Sequence, residues 1–291
     1  NRTAMASTCA AFSTAHGTAA AKKGGEGVRN GVLAAYALFA GLAFTVYHFV
    51  ADGAFSAVIT MGVILQCLAM LLLCLQTLSS NSASGISARS LGLEALALCC
   101  RLSSTTWLNG YLPMDASGDW VFQAVDVCTL VLAIGLLLRV LTTHRATYNR
   151  QADSLPCAPI AVASFALAAM LHADMNRRPF FDTLWMTGLF VGVLAVVPQL
   201  WLISRTGGRV QPLTSHFVAL MAVSRALSGV FMWYARHDIA CREWVKGVNH
   251  AVPAILGAHL IHLVLLGDFA YYYAKGLATS GLAATFAVSN S

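Results

Sequence analysis

Long apolar stretches alternate with short polar segments along the chain, at Gly31 to Ala51, Ala54 to Leu78, Leu91 to Leu112, Trp120 to Leu141, Ala158 to Leu171, Phe181 to Ile203, Ser215 to Tyr234 and Val252 to Ala274. Crossing the hydrocarbon of a bilayer takes about 20 apolar residues as helix. The pattern therefore predicts eight transmembrane helices, the fifth being the shortest. Residues 1–30 precede them, rich in Ala, Ser, Thr and Gly with no apolar run. They read as a flexible polar tail, with an organelle transit segment as the other reading. The segment 276–291 reads as a second polar tail.

Composition agrees with the pattern. Of 291 residues 58% are hydrophobic and 10% charged, with a mean hydropathy of +0.68, against about a quarter charged in soluble chains. That excludes a soluble enzyme of ordinary surface, a disordered chain and a disulfide scaffold. Cys67, Cys74, Cys99, Cys100 and Cys128 lie inside apolar runs and read as small buried hydrophobes.

An even number of spans puts both ends of the chain on one side. With that side cytoplasmic, eleven Lys and Arg fall in cytoplasmic segments (including Arg89, Arg139, Arg145, Arg150, Arg205 and Lys275) and five opposite them, at Arg177, Arg178, Arg236, Arg242 and Lys246. The bias supports this orientation. The net charge of +6 is dispersed among loops with no basic stripe, so nucleic acid is not an expected partner, whereas membrane lipids are.

A short internal repeat recurs at about 124 residues. Gln76 precedes Arg101 by 25 positions, and Gln199, in the pair Pro198-Gln199, precedes Arg225 by 26, each across a Ser/Gly-rich loop. Two three-helix units joined by a linker span would produce it. Pro198 frees a backbone carbonyl near the end of an apolar helix, which fits either a moving hinge or a static kink.

Ionisable groups at bilayer depth are costly and are functional candidates by default. Arg101 and Arg225 sit within spans, and Glu94, Asp126, Asp182 and Asp268 lie within or at the ends of spans. Arginine grips a carboxylate with a planar fork and keeps its proton. The pair reads as a carboxylate or anion receptor, the alternative being ion pairs to Glu94, Asp126 or Asp268 that hold helices together. His172, His259 and His262 are candidates for pigment ligation or proton sensing, with ordinary packing as the other reading. No metal-ligand spacing, nucleophile motif or phosphate loop is present, so no enzyme activity and no resident cofactor are expected, although lipids or pigments would suit a complex subunit. Gly188 and Gly192 form a small-residue motif that permits close helix approach.

Further segments resemble the KDEL receptor (ER lumen protein retaining receptor) family. They are Ser84 to Ser90 running ungapped to Arg101, Arg145 to Tyr148, Pro179 to Trp185, Val197 to Leu200 followed by Ser204 to Gly207, Thr214 to Phe217 leading to Arg225, Phe231 to Trp233 with Arg236, and Asp268-Phe269. The resemblance implies an all-α seven-helix bundle of the SWEET/PQ-loop type over 54–275, built of two three-helix repeats, with an additional transmembrane helix at 31–53. It implies capture of C-terminal retention tetrapeptides, HDEL-like, in the Golgi and their retrieval to the ER. Arg101, Asp182, Arg225, Trp233 and Arg236 match positions of the family's binding cavity, and Asp268, Pro198 and Gln199 match positions linked to conformational change. The match departs where the family's first-helix arginine is absent from Ala54 to Leu65, where its histidine falls on Gln66, and where an acid falls on Ser104.

Two other readings stand beside retrieval. One is a structural subunit of a plastid or mitochondrial supercomplex, with other membrane subunits as partners. The other is a SWEET-like transporter of a small solute.

Overall fold

The computed structural model describes residues 30–51, 54–108, 119–175, 177–206, 212–241, 244 and 246–267, with the side chains of 212, 213 and 215 outside that description. Among them the fold is all helical. The helices are α1 (Asn30–Val50), α2 (Ala57–Ser80), α3 (Ala88–Thr105), α4 (Asp119–Leu141), α5 (Cys157–Leu171), α6 (Pro179–Leu194), α7 (Val197–Arg205), α8 (Pro212–Tyr234) and α9 (Ala251–Gly267). Every predicted apolar stretch contains helix, as far as the described residues reach.

Among the described residues five spans are long and apolar enough to cross a membrane: α1, α2, α4, α8 continued to His237, and α6 continued through α7. At about 1.5 Å per residue, the 24-residue α2 is about 36 Å long, enough for a hydrocarbon core of about 30 Å. The 15-residue α5 is about 22 Å and falls short. Arg89, Glu94 and Arg101 keep the 18-residue α3 out of the apolar set.

One stretch is broken in two. The run read as a single span from Phe181 to Ile203 stops at Leu194 and restarts at Val197. Pro198 lacks the N–H that would bond the Leu194 carbonyl, and two turn residues intervene. At the break Ser90 Oγ of α3 donates to the Ala195 carbonyl at 2.6 Å, so the disrupted helix is sealed by its neighbour.

Packing pairs α2 with α8 and α4, α3 with α6 and α4, and α5 with α6. Helix α1 lies against α2 through Val32, Ala35, Leu68 and Leu72, and Tyr36 Oη meets His216 Nδ1 at 3.0 Å. Two apolar clusters fill the interior. One holds Ile59 and Val63 of α2, Phe122 of α4, Phe231 and Met232 of α8 and Ile255 of α9. The other holds Ala69 and Leu73 of α2, Ala133 and Leu136 of α4, Val218 and Met221 of α8 and Leu266 of α9. Between the clusters each of these four helices carries buried polar residues: Gln66, Asp126, Arg225, and His259 with His262. A polar layer therefore crosses the bundle between two apolar ones.

The two glutamines of the repeat trade partners. Gln199 Oε1 accepts from the Ser87 backbone N–H at 2.9 Å while its Nε2 donates to the Gly85 carbonyl at 2.8 Å, and Gln76 Oε1 accepts from Thr214 Oγ1 at 2.9 Å. Each thus ties its own helix to the start of the helix in the other copy. Gln199→Ala is expected to cost about 1–3 kcal/mol because it strands two buried backbone groups at once; Gln76→Ala, which strands a hydroxyl able to turn elsewhere, is expected to cost less. Melting curves of the two purified variants compare them.

Next to Gln199 the loop between α4 and α5 is anchored on Asp153, which is fully buried. Its carboxylate accepts from Ser87 Oγ at 2.8 Å, Tyr148 Oη at 2.7 Å and the Arg89 backbone N–H at 3.2 Å. Burial, reinforced by the hydrogen bond to Asp153, raises the Tyr148 phenol above its ordinary value. The raised value means that this contribution to stability is complete below about pH 10, where an unfolded tyrosine ionises, and is lost as pH climbs through the folded value. In an alkaline absorbance titration Tyr148→Phe is expected to remove a late-ionising phenol, and Asp153→Asn to shift that phenol to lower pH.

Candidate functional site

The polar layer is a chain of charges. Arg101 of α3 donates from Nε to Asp126 Oδ2 at 2.6 Å and from Nη2 to Asp126 Oδ1 at 2.5 Å, a two-toothed pair with α4. Its Nη2 also reaches Gln66 Oε1 of α2 at 3.4 Å. Gln66 Nε2 donates to Glu94 Oε1, and the same oxygen faces Arg225 Nη2 of α8 at 3.5 Å. Glu94 and Arg101 are seven apart on α3 and share a face, which lets one helix supply an acid to α8 and a base to α4. Two guanidinium groups and two carboxylates leave the layer internally neutral, which is what makes four charges tolerable at bilayer depth.

Against this layer lies a cavity of about 50 Å³, lined by Gln66, Glu94, Arg101, Arg225, Ser228 and His259 on its polar side and by Phe122, Trp185 and Met232 on its apolar side. At about 10–15 Å³ for a single water it holds about three to five waters. Arg225 Nε, both ring nitrogens of His259 and Nε2 of His262 have no hydrogen-bond partner among the described residues. Buried donors and acceptors without partners are uncommon. Of these residues Arg225 of α8 and His259 of α9 line the cavity.

Close helix approach sets the distances. A Cβ on Gly188 of α6 would lie 2.9 Å from the Ala97 carbonyl oxygen and 3.1 Å from the Arg101 backbone nitrogen. Gly62 of α2 similarly faces Ser224 and Ser228 of α8, and Ser224 Oγ donates to the Gly62 carbonyl at 2.6 Å. The helices bearing the two arginines are thus each pressed against a glycine.

The remaining candidates spread outward. Asp182 is buried at the start of α6, where Oδ1 accepts from the Met175 N–H at 3.3 Å. Trp233 is 59% exposed, and the Arg236 guanidinium stacks over its ring at 4.6 Å while donating to its carbonyl at 2.7 Å. These two lie past the apolar cluster of Phe231 and Met232, outside the cavity. His172 follows α5 with Nδ1 against the Ala173 carbonyl at 3.1 Å, apart from His259 and His262. Pro198 and Gln199 are buried at the helix break. Asp268 lies outside the described residues. No group of three or more metal-ligating side chains occurs among the described residues.

Three partnerships were not foreseen in the sequence: the Asp153 anchor, the Thr214 partner of Gln76, and the Tyr36 contact with His216. The uncharged glutamine at 66 that bridges Arg101 to Glu94 was noted only as a departure from a family pattern. A signal for the Asp153 anchor does exist, since it is the sole acid in the loop between α4 and α5.

The sequence profile of the ER lumen protein retaining receptor family matches residues 82–236, more than half of the chain. The chain belongs to this family. Its similarity to members of the ER lumen protein retaining receptor family extends beyond the profile. It is 28% identical over 208 residues to the ER lumen protein-retaining receptor erd-2.2 of Caenorhabditis elegans, covering 71% of this chain and 87% of that one. It is 26% identical to the ER lumen protein-retaining receptor 2 of Danio rerio, covering 70% and 87%, and 26% identical to the ER lumen protein-retaining receptor of Dictyostelium discoideum, covering 74% and 92%. The names of these relatives place them with the ER, and nothing in them supports a plastid or mitochondrial membrane. The matched segment contains Arg101, Asp182, Arg225, Trp233 and Arg236, whereas α1, α2 and α9 lie outside it.

Proposed function

We propose that the protein is a retrieval receptor that binds the C-terminal retention signals of ER proteins and returns them from the Golgi. The observation that carries this reading is a pair of arginines, half-buried Arg101 on α3 and buried Arg225 on α8, lining a common cavity inside a chain of this family. In this reading 54–275 is a seven-helix bundle of the SWEET/PQ-loop type made of two three-helix repeats, and α1 is an added helix. Arg101 and Arg225 receive carboxylates of the peptide, with Asp182, Trp233 and Arg236 at the approach. A cavity of about 50 Å³ is far smaller than a tetrapeptide. Binding therefore requires the bundle to open, and the break at Pro198 and Gln199, with Asp268, is where the motion is expected to be taken up.

The neutrality of the charge layer supports a dependence on pH. A carboxylate entering a layer whose positive charges are already matched adds one negative charge to the membrane interior, and a proton taken up with it restores the balance.

Calorimetry on the purified protein tests the reading with a peptide ending in His-Asp-Glu-Leu, as free acid and as C-terminal amide, near pH 5.5 and near pH 7.4. The free acid is expected to bind more tightly at the lower pH, and the amide at least about tenfold more weakly, the loss of one charge-assisted contact. Absence of binding by the free acid at both pH values overturns retrieval as the function.

A further inference from the structure

The end of the bundle where α2, α4 and α7 finish and α3 and α5 begin is strongly basic. Arg139, Arg145, Arg150 and Arg205 are exposed there and Arg89 is half-buried. Among the described residues the acid at this end is Asp153, which is fully buried and spent on its three donors. At the opposite end the basic residues Arg177, Arg178, Arg236 and Lys246 are interspersed with Asp119, Asp174 and Asp238, all at least partly exposed. Among the described residues the bundle thus carries an uncompensated positive face at this end and a mixed one at the other.

That face is built, not loose. The loop from α4 to α5 turns on the bonds His144 N–H to Arg139 O at 2.9 Å, Tyr148 N–H to His144 O at 3.1 Å and Asp153 N–H to Asn149 O at 3.1 Å. Arg89 Nη1 donates to the Leu155 carbonyl, and Trp201 Nε1 donates to Ser154 Oγ at 3.3 Å, which joins α3 and α7 to the same loop. Arg205 lies over the Trp201 ring at 4.9 Å. Arg139 is two residues from the end of α4 and Arg205 is the last residue of α7, so both sit where helices leave the hydrocarbon. An exposed tryptophan beside an arginine at that level is an interfacial pattern.

We propose that this face binds the phosphate headgroups of anionic phospholipids. The ligand follows from position and charge: a cluster of guanidinium groups where helices leave the hydrocarbon, with no exposed carboxylate among the described residues there, meets anionic lipid before any soluble partner. Each basic residue near such a surface is worth about fivefold in affinity, so three act together as about a hundredfold. The proposal goes beyond peptide retrieval and does not depend on it.

The full-length protein in detergent micelles, titrated with short-chain phosphatidylserine and with phosphatidylcholine of equal chain length, tests it by native mass spectrometry. Phosphatidylserine is expected to bind at least about tenfold more tightly, with a preference that weakens as salt rises. The triple variant R145Q/R150Q/R205Q is expected to lose that preference, the matching triple lysine variant to keep most of it, and R177Q/R178Q at the other end to leave it unchanged. The lysine variant and the salt titration keep the test informative should the glutamine variant fold poorly. Equal binding of the two lipids overturns the proposal, and so does a preference that survives in a folded triple glutamine variant.

Discussion

Asp126→Ala is expected to lower stability by about 3–5 kcal/mol, read as a fall in melting temperature in detergent. Asp126 is fully buried, and both its oxygens are engaged by Arg101 at 2.5 and 2.6 Å. Removing the carboxylate leaves a guanidinium group within a polar layer whose other acid, Glu94, is already shared between Gln66 and Arg225. An unpaired buried charge costs far more than the pair is worth over an apolar substitute of similar volume. The double variant R101M/D126L is therefore expected to regain most of the lost stability while losing affinity for a carboxylate-terminated peptide. That combination separates the helix pairing made by Arg101 from the ligand reception proposed for it. A single variant as stable as the parent would mean that the pair does not hold α3 to α4.

Gly188→Ala is expected to cost about 2–3 kcal/mol, and Gly192→Ala, one turn further on, less than about 0.5 kcal/mol. The contrast is geometric. The new methyl at 188 would meet the Ala97 carbonyl oxygen at 2.9 Å, the Arg101 nitrogen at 3.1 Å and Cys100 Cβ at 3.3 Å, and the first two are backbone atoms that yield only if α6 moves off α3. At 192 the nearest atoms are the Ala97 Cβ at 3.7 Å and Arg225 Nη2 at 3.8 Å, ordinary contact distances. Because one of the crowded atoms belongs to Arg101, the displacement is transmitted to the charge layer, and peptide affinity is expected to fall together with melting temperature in the first variant only. Parallel melting and calorimetry on the two variants check both effects. Equal losses at the two positions would show that the packing of α6 on α3 tolerates a wider separation than the 2.9 Å contact implies.

The helices were largely legible in advance because bilayer thickness imposes a length on every apolar run, and run length is a local property of a sequence. The least legible element was the one from Phe181 to Ile203. Hydropathy does not register Pro198 as a break, although the missing N–H of Pro198 is what divides it. The charged candidates were legible as residues for a related reason, since any arginine or acid inside an apolar run stands out. Of the two readings of Arg101 and Arg225, the ion pairs are present, to Asp126 and to Glu94, while the ligand role remains a proposal. Both arginines line the cavity, and both face a buried carboxylate.

Partnership was the illegible part. A helix surrounded by lipid and other helices is apolar on every side, so the periodic stripe that would mark its inward face is faint. Nothing in the linear order says that Arg101 turns to Asp126 while Glu94, on the same helix, turns to Arg225, or that Gln76 and Gln199 each reach across to the other repeat. Membrane class, helix positions, the basic bias and family membership follow from composition, run length and motif order, which are properties of the chain read from end to end. The pairing of the four charges in the polar layer, the three donors on Asp153, the contact of α1 with His216 and the small size of the cavity depend on which helix faces meet and how closely glycine lets them approach. Those distances exist only once the helices are assembled.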